Sequence, residues 1–145
     1  MSTFTVSTFI NRSPQEVFDF MTNPANFSQW QNGTKSAEWT SKDPVGVGSI
    51  VHSVGQLLGR EIVTDTEITQ WTPPSLWSMK ASNGPIKFVN TNKFESKDGG
   101  TLVIQNFDGE VPGFLKLAEG LAIKQMQKQF AGDGNTLKQL LEARQ

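Results

Sequence analysis

Hydrophobic and polar residues alternate over the first ten positions of the chain. Phe4, Val6 and Ile10 are separated by Thr5 and Ser7. Alternation with a period of two residues is typical of a strand that is buried on one face only. The pattern therefore predicts that the chain opens with a half-buried β-strand.

The next segment, SPQEVFDFM, changes to helical signals. Ser13 is a favourable N-cap, Pro14 suits the first helical position, and Glu16 would complete a capping box. A second cap follows in NPANFSQW, where Asn23 precedes a proline and Phe27 begins another apolar turn. Two short helices are therefore predicted after the first strand.

From Gly33 to about Glu110, runs of β-like composition alternate with turn signals. The runs are SIVHSVGQLL, REIVTDTEITQW, LWSMKA, IKFVNTNKF and TLVIQNF. Because no helical pattern separates them, they are typical of an antiparallel meander, here of about six strands. The turn KDGG before TLVIQNF gives the clearest hairpin signal.

After Pro112 the apolar residues return to helical spacing, which predicts one long C-terminal helix. Its predicted buried stripe consists of Phe114, Leu117, Leu121, Phe130, Leu137 and Leu141. Gly120, Gly132 and Gly134 weaken this helix, and the pattern leaves open whether it is kinked near Asp133.

A single amphipathic helix must bury its stripe, and the sheet is the only large partner for it. We therefore predict an α+β helix-grip fold in one domain over residues 1–145. A curved antiparallel sheet of six or seven strands surrounds the C-terminal helix, with two short helices after the first strand. A cavity would open where the sheet bends away from the helix.

Several segments carry a family resemblance by their order and spacing: INRSPQEVFDF, NPANFSQW, VGVGS, GREIVTDTEITQWTPPSLW, the GP at 84–85, KFESKDGGTLV and TLKQLLEA. Over the whole chain they resemble the START-like or Bet v 1-like (SRPBCC) helix-grip superfamily, in particular its polyketide cyclase/dehydrase-like branch. The resemblance implies a cavity for a hydrophobic ligand. Members include cyclases, dehydratases, lipid carriers and hormone receptors.

Composition excludes several other function classes. The 13 Lys and Arg nearly balance the 14 Asp and Glu, so no basic surface for nucleic acid is expected. Without cysteine and with a single histidine, thiolate and multi-histidine metal sites are excluded, and we expect neither metal nor cofactor. The N-terminus lacks a signal-peptide pattern, and no window resembles a membrane helix. A cytoplasmic location without stable membrane insertion is expected, and a homodimer is left open.

The stretch GVGSIVHSVGQLLGREI combines closely spaced glycines with the single histidine. Gly46 and Gly48 resemble the start of a dinucleotide fingerprint, but the third glycine is missing and a strand follows, so a turn is favoured. His52 alternates with Ile50 and Val54 and is predicted to point inward. It is the one candidate catalytic residue, for proton transfer. Because no carboxylate is evidently paired with it, a structural histidine is the alternative.

The stronger indication of a binding site is IKFVNTNKF. Asn90 and Asn92 share a strand face with Phe88 and Phe94. An unpartnered buried amide costs about 1–3 kcal/mol, so two amides on this face indicate a cavity wall rather than a dry core. The predicted ligand-binding residues are Asn90, Asn92, Gln105, Phe88, Phe107, Trp77, Thr64, Thr66 and His52. The alternative is a register shift or a solvated end of the sheet.

Three functions follow from these patterns. The main hypothesis is the binding of a small, largely apolar, lipid- or polyketide-like or amphipathic ligand between the sheet and the helix. The alternative is a polyketide cyclase/dehydratase-type enzyme in the same cavity, in which His52 or an amide polarises a carbonyl. The third is a protein-interaction domain, which would require a large exposed apolar patch.

Overall fold

The computed structural model describes residues 2–40, 44–57, 59–84, 87–110 and 119–144. Within these ranges the strands are β1 Ser2–Ile10, β2 Thr34–Trp39, β3 Ile50–Leu57, β4 Arg60–Thr72, β5 Leu76–Asn83, β6 Lys87–Lys97 and β7 Gly100–Glu110. The helices are α1 Pro14–Met21, α2 Phe27–Trp30 and α3 Glu119–Glu142, with a 3-10 turn at Pro24–Asn26.

The described strands form one antiparallel sheet in the order β1-β7-β6-β5-β4-β3-β2. Consecutive strands from β2 to β7 are neighbours, as in a meander, and β1 joins the far edge beside β7. The predicted fold, an antiparallel sheet of six or seven strands with a long C-terminal helix, is confirmed with seven strands.

Ser13 caps α1 as predicted, whereas Asn23 caps the 3-10 turn Pro24–Asn26, which leads directly into α2. The Oγ of Ser13 accepts a hydrogen bond of 3.3 Å from the N–H of Glu16, and the side chain of Asn23 accepts one of 3.1 Å from the N–H of Ala25. The carboxylate of Glu16 lies 3.8 Å from Nε of Arg12. The cap at Ser13 therefore forms as predicted, while the Glu16 side chain pairs with a neighbouring cation.

The predicted hairpin joins β6 to β7 through a two-residue loop. Lys97 and Gly100 are paired across the strands, and Asp98 and Gly99 between them have φ angles of 49° and 80°. Two consecutive positive φ angles are the requirement of the tight hairpin turn that Asp-Gly favours. This turn sets the register of the two strands that carry most of the predicted amides.

The helix α3 continues without interruption through Gly132 and Gly134. Phe114 and Leu117 of the predicted stripe lie outside the described residues, and the prediction for Leu121 was wrong, because its side chain is 63% exposed. The residues that α3 buries are Ala122, Met126, Asp133, Gly134, Leu137 and Leu141. The buried stripe thus starts one position after Leu121, which on a helix is a rotation of about 100°.

A glycine brings α3 close to β1. A Cβ atom on Gly134 would lie 2.3 Å from Oγ1 of Thr8 and 3.3 Å from its Cβ. A side chain at position 134 would therefore require Thr8 or the helix to shift.

Polar contacts hold the C-terminal end of α3. The Nζ of Lys138 donates to the carbonyl oxygen of Phe9 at 2.9 Å and to the carboxylate of Glu142 at 2.7 Å. The N–H of Asn11 donates to the same carboxylate at 2.8 Å. Both hydrogen bonds lower the pKa of Glu142, and the bond from Lys138 has the larger effect. The end of β1 is thereby tied to the last turns of the helix.

Apolar side chains form two clusters on the inner side of the sheet. The larger one joins α1 and α2 to the C-terminal half of α3 and includes Phe18, Trp77 and Leu137. The smaller one joins the N-terminal half of α3 to β1 and β7 through Phe4, Phe107, Ala122 and Met126. Among the helices of the described ranges, none is long and apolar enough to cross a membrane.

Candidate functional site

A cavity of about 200 Å³ lies between the inner face of the sheet and α3. It is lined by members of both apolar clusters, among them Trp77 of the larger and Phe107 of the smaller. Eight of the nine predicted ligand-binding residues line it, namely Asn90, Asn92, Gln105, Phe88, Phe107, Trp77, Thr64 and Thr66. The assignment of strand faces was therefore correct for β4, β5, β6 and β7.

Three amides from β6 and β7 form a hydrogen-bonded chain, here called the amide ladder: Asn90, Asn92 and Gln105. Nε2 of Gln105 donates to Oδ1 of Asn92 at 3.4 Å, and Nδ2 of Asn92 donates to Oδ1 of Asn90 at 2.8 Å. Nδ2 of Asn90 donates to the backbone carbonyl of Asn106 at 3.1 Å. The hairpin register makes the ladder possible, because Asn92 and Gln105 are direct cross-strand partners.

The direction of the amide ladder is fixed at one end. The backbone carbonyl of Asn106 can only accept, so Asn90 must place its nitrogen there and offer its oxygen to Asn92. Asn92 in turn offers its oxygen to Nε2 of Gln105. The Oε1 of Gln105 is then the last atom of the ladder, without a partner among the described residues. Gln105 is only 5% exposed and lines the cavity, so the ladder presents a carbonyl oxygen as its terminal group.

Aromatic rings form a second wall. The ring of Phe107 stacks on Phe4 at a centroid distance of 5.1 Å and on Phe88 at 5.5 Å. Phe130 of α3 meets Phe107 edge-on at 5.9 Å. Because Phe88, Phe107 and Phe130 all line the cavity, this wall offers apolar surface to a flat ligand.

Two buried indole groups have no hydrogen-bond partner. The Nε1 atoms of Trp30 and Trp77 are the two buried side-chain polar atoms without a partner in the described part of the chain. Leaving such a donor unsatisfied costs about 1–3 kcal/mol. Both tryptophans line the cavity, so the unsatisfied polar groups are concentrated at this site, as is common where structure serves function.

The sequence analysis missed a carboxylate in the cavity wall. Asp133 of α3 is 5% exposed, lines the cavity, and accepts a hydrogen bond of 2.8 Å from the N–H of Asn32. Burial raises the pKa of Asp133 to about 6, although the bond from Asn32 lowers it. The helical spacing of Asp133 from Phe130 and Leu137 indicates that it lies on the buried side of the helix. The sequence analysis considered Asp133 only as the position of a possible kink.

Other lining residues were also missed. They include Trp30, Ser53, Met126, Gln129 and Phe130. Phe130 was interpreted as part of the buried stripe of the helix, and pattern alone does not distinguish a core position from a cavity wall.

The prediction that His52 points inward was wrong. Val51 and Ser53 line the cavity, so His52 lies on the outer face of the sheet. There its Nδ1 lies 2.6 Å from Oδ1 of Asp65, its direct partner on β4. Both faces of β3 carry apolar residues, because Val54 also faces outward. The alternation of apolar and polar residues therefore did not show which face is buried. Within the described ranges, no group of three or more His, Cys, Asp or Glu is arranged to hold a metal ion.

The glycines before β3 form a turn, as predicted. The N–H of Ser49 donates to the carbonyl of Gly46 at 3.0 Å, and Gly48 has a φ angle of 95°. Farther along, the pairing of β2 with β3 is irregular opposite Gly55. A Cβ atom on Gly55 would lie 2.3 Å from the carbonyl oxygen of Gly33, so a close backbone approach requires this glycine.

Solved structures similar to this chain share the fold. The protein TTHA0849 from Thermus thermophilus is 17% identical, with a TM-score of 0.85 over 99% of this chain and 100% of that one. The ZhuI aromatase/cyclase from Streptomyces sp. R1128 is 10% identical, with a TM-score of 0.80 over 99% and 94% of the two chains. Ara h 8.0201 is 15% identical, with a TM-score of 0.71 over 99% of each.

A search of curated proteins gives no significant match. The profile of one family, described as polyketide cyclase/dehydrase and lipid transport, matches residues 1–142. This match covers nearly the whole chain and agrees with the sheet, the helix and the resemblance in sequence. The chain belongs to the polyketide cyclase/dehydrase and lipid transport family, of the SRPBCC type with the Bet v 1-like helix-grip fold.

Proposed function

We propose that this protein binds a small, largely apolar molecule in the cavity between the sheet and α3. The observation that carries the proposal is a cavity whose exposed surface is mainly apolar but whose wall includes the amide ladder. A ligand pocket of this kind takes its affinity from apolar contact and its orientation from a few polar groups.

The cavity volume limits the size of the ligand. Pockets for drug-sized molecules measure roughly 300–1,000 Å³, whereas this cavity measures about 200 Å³. The proposed ligand is therefore a compact molecule, on the order of two fused rings. The family description, which combines cyclases, dehydrases and lipid transport, supports a hydrophobic ligand of this type.

Adjacent residues of β3 provide a matched test. Ser53 lines the cavity and His52 lies on the other face of the same strand. Ser53→Leu would fill part of the cavity, and we expect it to weaken binding of naphthylmethanol at least about tenfold by loss of space. His52→Ala should leave binding unchanged. Calorimetry measures both, and quenching of Trp30 and Trp77 fluorescence reports occupancy.

The proposal fails if naphthylmethanol and related bicyclic compounds do not bind the wild-type protein, or if Ser53→Leu binds them as tightly. Circular dichroism must show that both variants are folded. Native mass spectrometry of protein purified from its own host provides an independent test, because a retained small molecule should dissociate from the wild type and be absent from Ser53→Leu.

A second candidate function is an enzyme of the cyclase or dehydratase type. It is favoured by Asp133, whose pKa of about 6 suits a group that takes up and releases a proton near neutral pH. This carboxylate replaces His52 as the candidate proton acceptor. With an aromatic polyketide-like substrate, Asp133→Asn should lose about 100-fold or more in turnover, while His52→Ala retains it. Equal turnover in wild type and Asp133→Asn would remove this candidate.

The third hypothesis, a protein-interaction domain, receives less support. The large apolar side chains that are most exposed in the described ranges are Val47, Val63, Val89 and Leu121. Four exposed side chains do not by themselves make the large contiguous patch that an interaction site requires.

A further inference from the structure

Among the described residues, the side chains that line the cavity carry negative charge only. Among the described residues that line it, Asp133 is acidic and none is Lys, Arg or His. The other polar groups of the lining are neutral: amides and hydroxyls, such as those of Gln129, Gln105 and Thr64, and the indole N–H groups of Trp30 and Trp77. In the described part of its wall, the cavity therefore has one ionisable group and no side chain of opposite charge.

Asp133 is not neutralised by the surrounding protein. Its Oδ1 accepts the N–H of Asn32, while its Oδ2 has no partner among the described residues. No ion pair within the described part of the chain includes Asp133. The raised pKa agrees with this geometry, because a neighbouring cation would lower it. At neutral pH the group is nevertheless mostly ionised.

We propose that Asp133 makes the cavity selective for ligand charge: it favours an apolar molecule that carries a protonated amine, accepts neutral hydrogen-bond donors such as alcohols, and excludes carboxylates. This inference rests on the proposed function and narrows its ligand class. The physical reason is that a buried carboxylate interacts with a second charge through a medium of low dielectric constant, where attraction and repulsion are much stronger than in water.

The amide ladder adds a second acceptor. The Oε1 of Gln105 ends the ladder without a partner among the described residues, and a ligand N–H or O–H group can donate to it. A ligand with one amine and one hydroxyl group could therefore satisfy both Asp133 and Gln105, whereas a carboxylate would bring only acceptors to either.

Three naphthyl compounds that differ in one group test the inference. Naphthylmethylamine, naphthylmethanol and naphthoate have similar apolar bodies and carry a cation, a neutral donor and an anion. In neutral buffer, we expect the wild type to bind the amine about tenfold more tightly than the alcohol, and naphthoate about tenfold more weakly. Isothermal titration calorimetry measures all three affinities.

Asp133→Asn removes the charge and keeps an oxygen that can accept the N–H of Asn32. In this variant the amine and naphthoate should bind within about threefold of the alcohol. Asp19→Asn is the matched control, because it removes the same charge from an exposed position of α1 outside the cavity lining. It should keep the wild-type order.

The outcomes separate the two proposals. If the alcohol binds but the order of the three compounds is the same in wild type and Asp133→Asn, the charge inference is wrong and the proposed function stands. If none of the compounds binds the wild type, both fail. Naphthoate binding the wild type as tightly as the alcohol overturns the inference by itself, so the test does not depend on the variant being folded.

Discussion

At the scale of single residues, Asp133 occupies a position where stability alone would favour an apolar side chain. It lies on the buried side of α3 between Met126 and Leu137, and a carboxylate there gives up solvation while the described residues return a single hydrogen bond to it. Asp133 therefore reduces the stability of the folded chain, as groups at functional sites often do.

This cost depends on pH. The pKa of Asp133 is raised from 3.8 to about 6 on folding, so between these values the folded state binds the proton more tightly than the unfolded chain. The free energy of unfolding contributed by this group is therefore highest below pH 3.8 and falls as the pH rises to about 6. Asp133→Asn should be more stable than wild type above pH 6, by up to about 3 kcal/mol, and the advantage should disappear near pH 4.

Urea unfolding of both proteins over this pH range measures the difference. Other groups, such as Glu142, titrate in both proteins and cancel. Asp19→Asn removes an exposed charge and is the control, which should change the free energy of unfolding by about 0.5 kcal/mol or less. A gain from Asp133→Asn that is the same at acidic and neutral pH would mean that the charge is not the cause.

Single residues also show where sequence reasoning succeeds. On β6 the outer face carries Lys87 and Lys93, so the apolar face and its two asparagines could be assigned from the sequence. On β3 both faces carry valine: Val51 is buried, and Val54 faces Val63 on the outside. The period-two pattern then has no polar side to identify the outer face, which is why His52 was misplaced.

At the scale of elements, the crossing of α3 over β1 depends on one of two neighbouring glycines. A Cβ atom on Gly134 would meet Thr8 at 2.3 Å, whereas one on Gly132 would meet nothing within 4 Å. Both glycines lie inside the helix, where alanine is favoured by about 1 kcal/mol. Gly132→Ala should therefore stabilise the protein by about 0.5–1 kcal/mol, and Gly134→Ala should destabilise it by about 1–3 kcal/mol through overpacking.

Thermal and urea unfolding of the two variants provide the measurement, and a second substitution tests the cause. In Gly134→Ala combined with Thr8→Ala, the clashing side chain is absent, so part of the lost stability should return. If both glycine variants gain stability equally, the close contact between α3 and β1 does not constrain the helix.

The elements themselves were largely predictable because their signals are local. Ser13, Asn23 and the Asp98–Gly99 turn act within three residues of their own positions, and each forms as expected. The buried face of α3 depends instead on how the helix is rotated against the sheet. That rotation follows from Gly134 and its partner on β1, a contact between residues more than a hundred positions apart, which a helical pattern does not contain.

At the scale of the whole molecule, ligand binding and folding are coupled. A ligand that binds only the folded state raises the free energy of unfolding by about 2.7 kcal/mol at a hundred times its dissociation constant. We expect naphthylmethanol at that excess to stabilise the wild type by this amount and to stabilise Ser53→Leu, with its at least tenfold weaker binding, by no more than about 1.4 kcal/mol. Urea unfolding with and without the compound measures the effect, and equal stabilisation of both proteins would place the binding outside the cavity.

The overall fold could be predicted from the order of the segments, because a meander followed by one amphipathic helix has few ways to bury its apolar surface. The size of the cavity could not. It depends on how far the sheet bends away from α3 and on which side chains enter the gap, and an aromatic residue such as Phe130 can contribute to a core or to a cavity wall with the same sequence pattern.

Together with the contact of Gly134 with Thr8, the contacts of Lys138 and Glu142 with the end of β1 fix the rotation of α3 about its own axis. The cavity-lining residues of α3, from Met126 to Asp133, come before this anchor in the chain. One residue inserted between Gly134 and Lys138 would turn that entire segment by about 100° against the sheet. Asp133 would then leave the cavity although every lining residue remained in the sequence. In related proteins, the number of residues between Asp133 and the Lys138–Glu142 contacts is therefore as informative about the ligand as the lining residues are.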